Sequence, residues 1–328
     1  MPDHRTCPAL TMALLLALAP GLAPAQIPAQ DPQAEPTARI RREVNLVLVE
    51  ATVKDKSGRV IGDLTLEDFR IADNGAAQQI EHFSRDQLPL AVALVVDLSG
   101  SIQPFLRPLR YASTSALKAL KPEDSVALIT FSEQPELVVD LTRDKGAAAD
   151  PFESLRAAGG TNINDAVYEA ANYLRDEAPA ARRIIVLVSD NVPTNPGSVE
   201  HKQVVEAALK ADAAVYGLKI PGRNPRGMGL VTGRVGSGMV NVKKLTEETG
   251  GEIFDIEKEG SLFLAFKALI ERLKTRYTLG YYPGTNEPGA DFHRLDVALA
   301  STHGSKGRDY TILAKTGYYP PQARRPSK

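Results

Sequence analysis

At 328 residues the chain is long enough for two or three domains and a sizeable core, and its acidic and basic side chains nearly balance, 40 against 39. That balance argues against nucleic acid or an anionic membrane surface as the default partner. Tryptophan is absent and the one cysteine is Cys7, so no disulfide framework is available to staple a small fold.

Residues 1–25 read as a signal peptide. Arg5 gives a positive start, residues 10–18 are apolar, and Ala23-Pro24-Ala25 makes a small-residue cleavage site before Gln26. The apolar run is too short for a membrane span, and Cys7 precedes it, which argues against lipid attachment at the cleavage site. Residues 26–42, rich in Pro, Ala and Gln, read as a linker. The expectation is an exported protein of bacterial type, periplasmic or secreted, without stable membrane insertion.

Residues 43–88 read as a small β module. Residues 44–53 have strand character, and 64–69 suggest one helical turn capped by Thr65 with Asp68 in the box position. Residues 69–72 and 79–83 read as two strands joined by a tight turn at Asp73-Asn74-Gly75. From residue 89 strands and helices alternate. Strands are expected at 91–97, 125–131, 137–141, 183–189, 213–220 and 252–256, and helices at 105–120, 163–175, 199–211, 240–249 and 262–273. This is the grammar of an α/β fold, a doubly wound and mainly parallel sheet with helices on both faces, spanning 89–274. Residues 275–319 return to β patterns, and 320–328 read as a disordered tail. Since β segments flank the α/β unit on both sides, they are expected to pair into one composite β domain with the α/β domain inserted in it.

The apolar, β-branched run of residues 91–96 is the pattern of a strand buried on both faces. It ends in Asp97-Leu98-Ser99-Gly100-Ser101, which sets three oxygen side chains at alternate positions on a glycine-containing loop. A carboxylate and two hydroxyls past a buried strand suit a hard cation, because Mg²⁺ takes oxygen ligands and rarely needs more than one or two carboxylates. An isolated Asp-x-Ser-x-Ser is equally compatible with a helix cap. Thr161, in Gly159-Gly160-Thr161, offers a further hydroxyl at a helix entrance, and taken alone reads as an N-cap. Asp190 follows the buried strand 183–189, and taken alone reads as a turn residue. All fall at carboxyl ends of strands or before helices, where open α/β sheets bind ligands.

Asp97-x-Ser99-x-Ser101, Thr161 and Asp190, in this order on this alternation, resemble the metal-ion-dependent adhesion site of von Willebrand factor A domains. The segments Ala-Leu-Val-Val-Asp-Leu-Ser-Gly-Ser, Gly-Gly-Thr-Asn-Ile-Asn-Asp-Ala and Ile-Ile-Val-Leu-Val-Ser-Asp carry the likeness, which covers about residues 89–273. The wider pattern is similar to a group of exported bacterial proteins related to A domains. The resemblance implies Mg²⁺, or Mn²⁺, held by the Ser99 and Ser101 hydroxyls, by Asp97 and Asp190 largely through waters, and by Thr161 directly or through water. It implies a partner protein whose Asp or Glu carboxylate completes the shell. Asn191 departs from the glycine common in the family, and asparagine tolerates the left-handed backbone required there.

Two other functions compete with this one. A metal-dependent hydrolase would need a nucleophile with a base, and the five histidines (His4, His82, His201, His293, His303) fall in no triad or ligand spacing. A scaffold whose metal only stabilises the fold would bind metal without a metal-dependent partner. Tyr277, Tyr281, Tyr282, Tyr318 and Tyr319 are expected to pack between the β module and the α/β domain rather than to form a partner surface. The glycine-rich, positive stretch 223–234 reads as a mobile surface loop.

Overall fold

A computed structural model describes residues 46–85, 88–222, 239–283, 292–300 and 310–320. The expected signal peptide, the linker, the 223–234 loop and the tail beyond residue 320 lie outside the described residues.

In chain order the elements begin with β1 (Val47–Asp55), β2 (Phe69–Asp73), β3 (Ala76–Gln78), β4 (His82–Ser84) and β5 (Leu90–Asp97). Then come α1 (Leu106–Lys118), β6 (Ser125–Phe131), β7 (Pro135–Thr142), α2 (Lys145–Ala149), α3 (Ile163–Glu177) and β8 (Arg182–Ser189). α4 (His201–Lys210), β9 (Ala213–Lys219), α5 (Val242–Glu248), β10 (Ile253–Asp255), α6 (Ile256–Glu259) and α7 (Leu262–Lys274) follow. The described chain closes with β11 (Tyr277–Tyr281), β12 (His293–Leu299), β13 (Tyr310–Ala314) and β14 (Gly317–Tyr318).

The middle of the chain forms a six-stranded sheet in the order β10-β9-β8-β5-β6-β7, parallel except for the antiparallel edge strand β7. Every residue of β5 is buried. Leu90, Val92, Leu94 and Val96 face α1 and α7, while Ala91, Ala93 and Val95 face α3, α4 and α5. The period of two thus serves two cores at once, with the smaller residues under α3. β5 lies between β8 and β6, so chain order reverses across it, and its carboxyl end opens at the switch point of the sheet.

The flanking segments interleave into a sandwich of two four-stranded sheets, β13-β1-β11-β4 and β14-β12-β2-β3. Val47 pairs with Tyr281 and Ala51 with Ala314, while Ile71 pairs with Val297. Val49, Val53, Phe69, Ile71, Leu279 and Leu295 fill the space between the sheets. The six-stranded sheet is therefore inserted between two paired neighbours, β4 and β11.

Two expectations are corrected here. Residues 79–83 do not return along β2: Asn74 (φ 49°) and Gly75 (φ 82°) make so tight a turn that Ala76 already pairs with Asp73. The chain then crosses to the other sheet as β4, where Phe83 packs 6.0 Å from Phe69 and 5.9 Å from Tyr277, centroid to centroid. Tyr277, Tyr281 and Tyr318 fill the sandwich rather than its junction with the α/β domain, Tyr282 is half exposed, and Tyr319 meets the α/β domain as expected, with Lys210 of α4 5.1 Å over its ring.

Tyr281 and Tyr318 both donate to Asp73 Oδ2, at 2.7 and 3.1 Å, and His293 Nδ1 lies 2.8 Å from Asp73 Oδ1. Burial, with Asp73 adding to it, pushes the Tyr318 phenol up to about 12, so it stays a donor. The Tyr277 hydroxyl accepts from Leu64 N at 3.0 Å and donates to Ile61 O at 2.9 Å, pinning the β1–β2 connection. Tyr277→Phe keeps the ring but orphans both backbone groups, and is expected to cost about 1–3 kcal/mol in denaturant unfolding. A cost near zero would show that water replaces the hydroxyl.

Candidate metal site at the carboxyl end of the sheet

Asp97 is the last residue of β5 and has no exposed surface. Its Oδ1 accepts from Ser99 N at 2.7 Å and its Oδ2 from the Ser189 hydroxyl at 2.7 Å, at the end of β8. Burial pushes the Asp97 carboxyl above the ordinary carboxylate range, against those two bonds, and the Asp190 charge adds to the push. The two aspartates therefore feel each other across the β5–β8 pair.

Ser99 stands at the N-cap position of the two-turn 3₁₀ segment Gly100–Phe105, yet its side chain makes no capping bond. Its hydroxyl instead lies 3.0 Å from that of Ser101, and Ser99 itself is buried. Thr161 is not the cap of α3 either. Asn162 caps that helix, its side chain accepting from Asp165 N at 3.2 Å. Thr161 N donates to the Thr194 hydroxyl at 2.8 Å, and Thr161 O accepts from Thr194 N and Asn195 N at 3.1 and 3.2 Å. Asp190 does serve its turn, Oδ1 accepting from Val192 N at 3.0 Å. Asn191 takes the left-handed backbone, with φ 60°.

Main-chain bonds tie these loops into one surface. Leu98 N donates to Phe131 O and Ala158 N to Leu98 O, each at 2.7 Å, and Asn162 N donates to Ser132 O at 2.9 Å. Direct contacts join Asp97 to Ser99 and Ser189, and Ser99 to Ser101. Thr161 is tied to the loop after Asp190 through Thr194.

Glu133 is the residue that sequence reasoning missed. Its Oε1 accepts from Gly160 N at 2.7 Å and its Oε2 from Asn195 Nδ2 at 3.1 Å, bridging the loops on either side of Thr161. A Cβ on Gly160 would fall 2.9 Å from Glu133 Oε1 and 3.0 Å from the Thr194 hydroxyl, so a side chain there would push the Glu133 carboxylate out of this bridge. The signal for Glu133 was available, since it follows the buried strand β6 by two residues, much as Asp190 follows β8 by one.

This donor set has the chemistry of a hard-cation site and lacks that of a nucleophile. Two hydroxyls face each other beside a carboxyl whose charge is costly where it stands, a cost that a cation relieves. Among the described residues no group of three or more His, Cys, Asp or Glu side chains gathers at one point, so hydroxyls would supply much of any shell. The described histidines stand elsewhere: His82 on β4, His201 beside Glu248, and His293 in the sandwich.

Residues 92–192 match the family described as von Willebrand factor type A domain. Over 206 residues the chain is 30% identical to mouse (Mus musculus) "Inter alpha-trypsin inhibitor, heavy chain 4", covering 55% of this chain and 22% of that one. It is 32% identical over 123 residues to pig (Sus scrofa) "Inter-alpha-trypsin inhibitor heavy chain H2", covering 34% of this chain and 13% of that one. The chain thus spans about a fifth or less of the length of these curated relatives. Among solved structures it is similar to "von Willebrand factor type A from Catenulispora acidiphila", with 11% identity, 84% of this chain and 73% of that one covered, and a TM-score of 0.45. Residues 92–192, the part that matches this family, carry β5, β6, β7 and β8 of the six-stranded, mainly parallel sheet.

Proposed function

We propose that the chain is a metal-dependent protein-binding module, one in which a partner's Asp or Glu completes the shell of a bound Mg²⁺. The observation that carries this reading is the Ser99–Ser101 hydroxyl pair, 3.0 Å apart and free of capping duty, beside the buried Asp97. Ser99, Ser101 and Thr161 would offer hydroxyl oxygens, and Asp97 and Asp190 the charge. When bound, the ion supplies a positive centre that the two aspartates neutralise and that still attracts one more anion. Ser189 and the Ser99 amide orient Asp97, and Glu133 with Thr194 hold the backbone at Thr161.

The reading extends to placement. The expected signal peptide puts the module outside the cytoplasm, with the sandwich as the base that presents the α/β domain. Among the described residues no helix is long and apolar enough to cross a membrane.

Calorimetric titration of the chain with Mg²⁺ and with Mn²⁺ tests the first half, and one saturable site is the expected result. Capture from envelope extract, with metal and with EDTA, tests the second. Capture in metal alone supports the module. Metal binding without metal-dependent capture would turn the reading towards a scaffold whose ion only stabilises the fold.

A further inference from the structure

The opposite, amino-terminal end of the sheet carries a second feature, unrelated to the adhesion-type loops. Where β8 and β9 begin, the α/β domain meets the sandwich around a cavity of about 60 Å³. Arg182, Arg183, Arg276 and Lys315 line it, with Glu50 and Asp212. Both Arg182 and Arg276 are more than nine-tenths buried, and they share Glu50, Arg182 Nε at 2.5 Å and Arg276 Nη1 at 3.2 Å. Lys315 Nζ lies 2.7 Å from Asp212, and Arg183 Nη2 lies 3.8 Å from the same carboxylate. Next to them, Glu252 is shared by Lys54 and Arg272, at 2.6 and 2.5 Å.

The charge does not close. Six cationic side chains meet three carboxylates in this junction. Helix carboxyl ends take up part of the excess: Arg182 bonds Leu273 O in α7, Arg183 bonds Ala178 O after α3 and Ala211 O after α4, and Arg276 bonds Gly250 O after α5. Each such end counts for about half a negative charge at most, which leaves an excess of roughly one positive charge. Arg182 Nη2 and Arg276 Nε find no hydrogen-bond acceptor among the described residues. Buried guanidinium without a counter-charge is costly, and water in the cavity would accept hydrogen bonds without cancelling charge.

We propose that this cavity binds one small tetrahedral oxyanion, phosphate or sulfate. Its volume corresponds to about four water-sized spheres, the bulk of four oxygens around one centre. Arginine's planar fork suits such oxygens, and Lys315 adds a point charge from β13's end. The anion would lock the strands of the sandwich to the base of the α/β domain. It sits about 23 Å along β5 from Asp97, since Leu90 at the start of that strand pairs with Arg182.

The test uses the whole chain in EDTA, with sodium phosphate, sulfate, acetate and chloride compared at one ionic strength by thermal unfolding and calorimetry. The expected result is saturable one-to-one binding of phosphate or sulfate, kept in Asp97→Ala and weakened at least tenfold in Lys315→Gln and in Arg183→Gln. Either variant suffices if the other does not fold. Stabilisation equal to that by chloride, preference for acetate, or a phosphate response unchanged in a folded variant would each overturn the proposal. Loss of the response in Asp97→Ala would place the anion at the other end of the sheet and overturn it as well.

Discussion

Asp97→Ala is expected to abolish Mg²⁺ binding, with no heat above dilution in a titration that saturates the unsubstituted chain, yet to leave the metal-free protein at least as stable. The two effects have one origin. Burial first, and Asp190 in addition, push the Asp97 carboxyl above the ordinary range, so in the metal-free fold this group is a cost rather than a support. At a hundred times the dissociation constant, metal adds about 2.7 kcal/mol, or about 5 °C in a chain of this size. That gain disappears in the variant. A metal-free midpoint several degrees below that of the unsubstituted chain would show instead that the bonds to Ser99 and Ser189 outweigh the burial cost.

The sign of the pH dependence follows. A carboxyl whose folded-state value lies above its unfolded one makes the metal-free fold more stable as pH falls through that folded value, and the advantage is lost as pH rises past it. Metal must displace the same proton. Affinity is therefore expected to fall by up to about tenfold per pH unit below the raised value, with proton release on binding. Titrations at neutral and mildly acid pH in buffers of different ionisation heat measure both.

Gly251→Ala is expected to be the most damaging single methyl group in the described fold. A Cβ on Gly251 would fall 1.9 Å from Val215 O, in the backbone of β9. β9 is held on one side by β8 and on the other by β10, so neither the strand nor the loop can retreat. Loss of about 4 kcal/mol or more, or failure to fold, is the expected outcome in denaturant unfolding. Gly58→Ala is the control. Its φ of 82° disfavours a side chain, but nothing lies within 4 Å, so about 1–2 kcal/mol is expected. Equal costs at the two positions would mean that the fold relaxes around the Gly251 methyl, because Gly251 itself has no positive φ to add a conformational cost.

The six-stranded sheet was legible because its four inner strands are buried on both faces. β5 and β8 carry apolar runs that end sharply in polar residues, and so the sequence alone puts the loops holding Asp97 and Asp190 at strand ends. α2 and α6, of 5 and 4 residues, are too short to show a period and went unread. The pairing partners within the sandwich were legible only as a pattern of flanks. Val47 and Tyr281 meet through a register that no local signal specifies, and the crossing of β4 to the far sheet depends on Phe83 finding Phe69 and Tyr277. At the site, residue types at strand ends were readable, whereas the roles of Asn162 as cap and Glu133 as bridge depend on loops meeting in space.

The interleaving of the sandwich has a mechanical consequence. β1 lies between β11 and β13, and the α/β domain leaves and re-enters through the neighbours β4 and β11. Tension applied between residue 46 and residue 320 therefore enters at β1 with its two partners and at the β14–β12 pair, and the inserted domain hangs beside that load path like a side loop. A pull along the chain would reach the Asp97 loops only after those strand pairs had parted, so the carboxyl end of the six-stranded sheet lies outside the path of such a load.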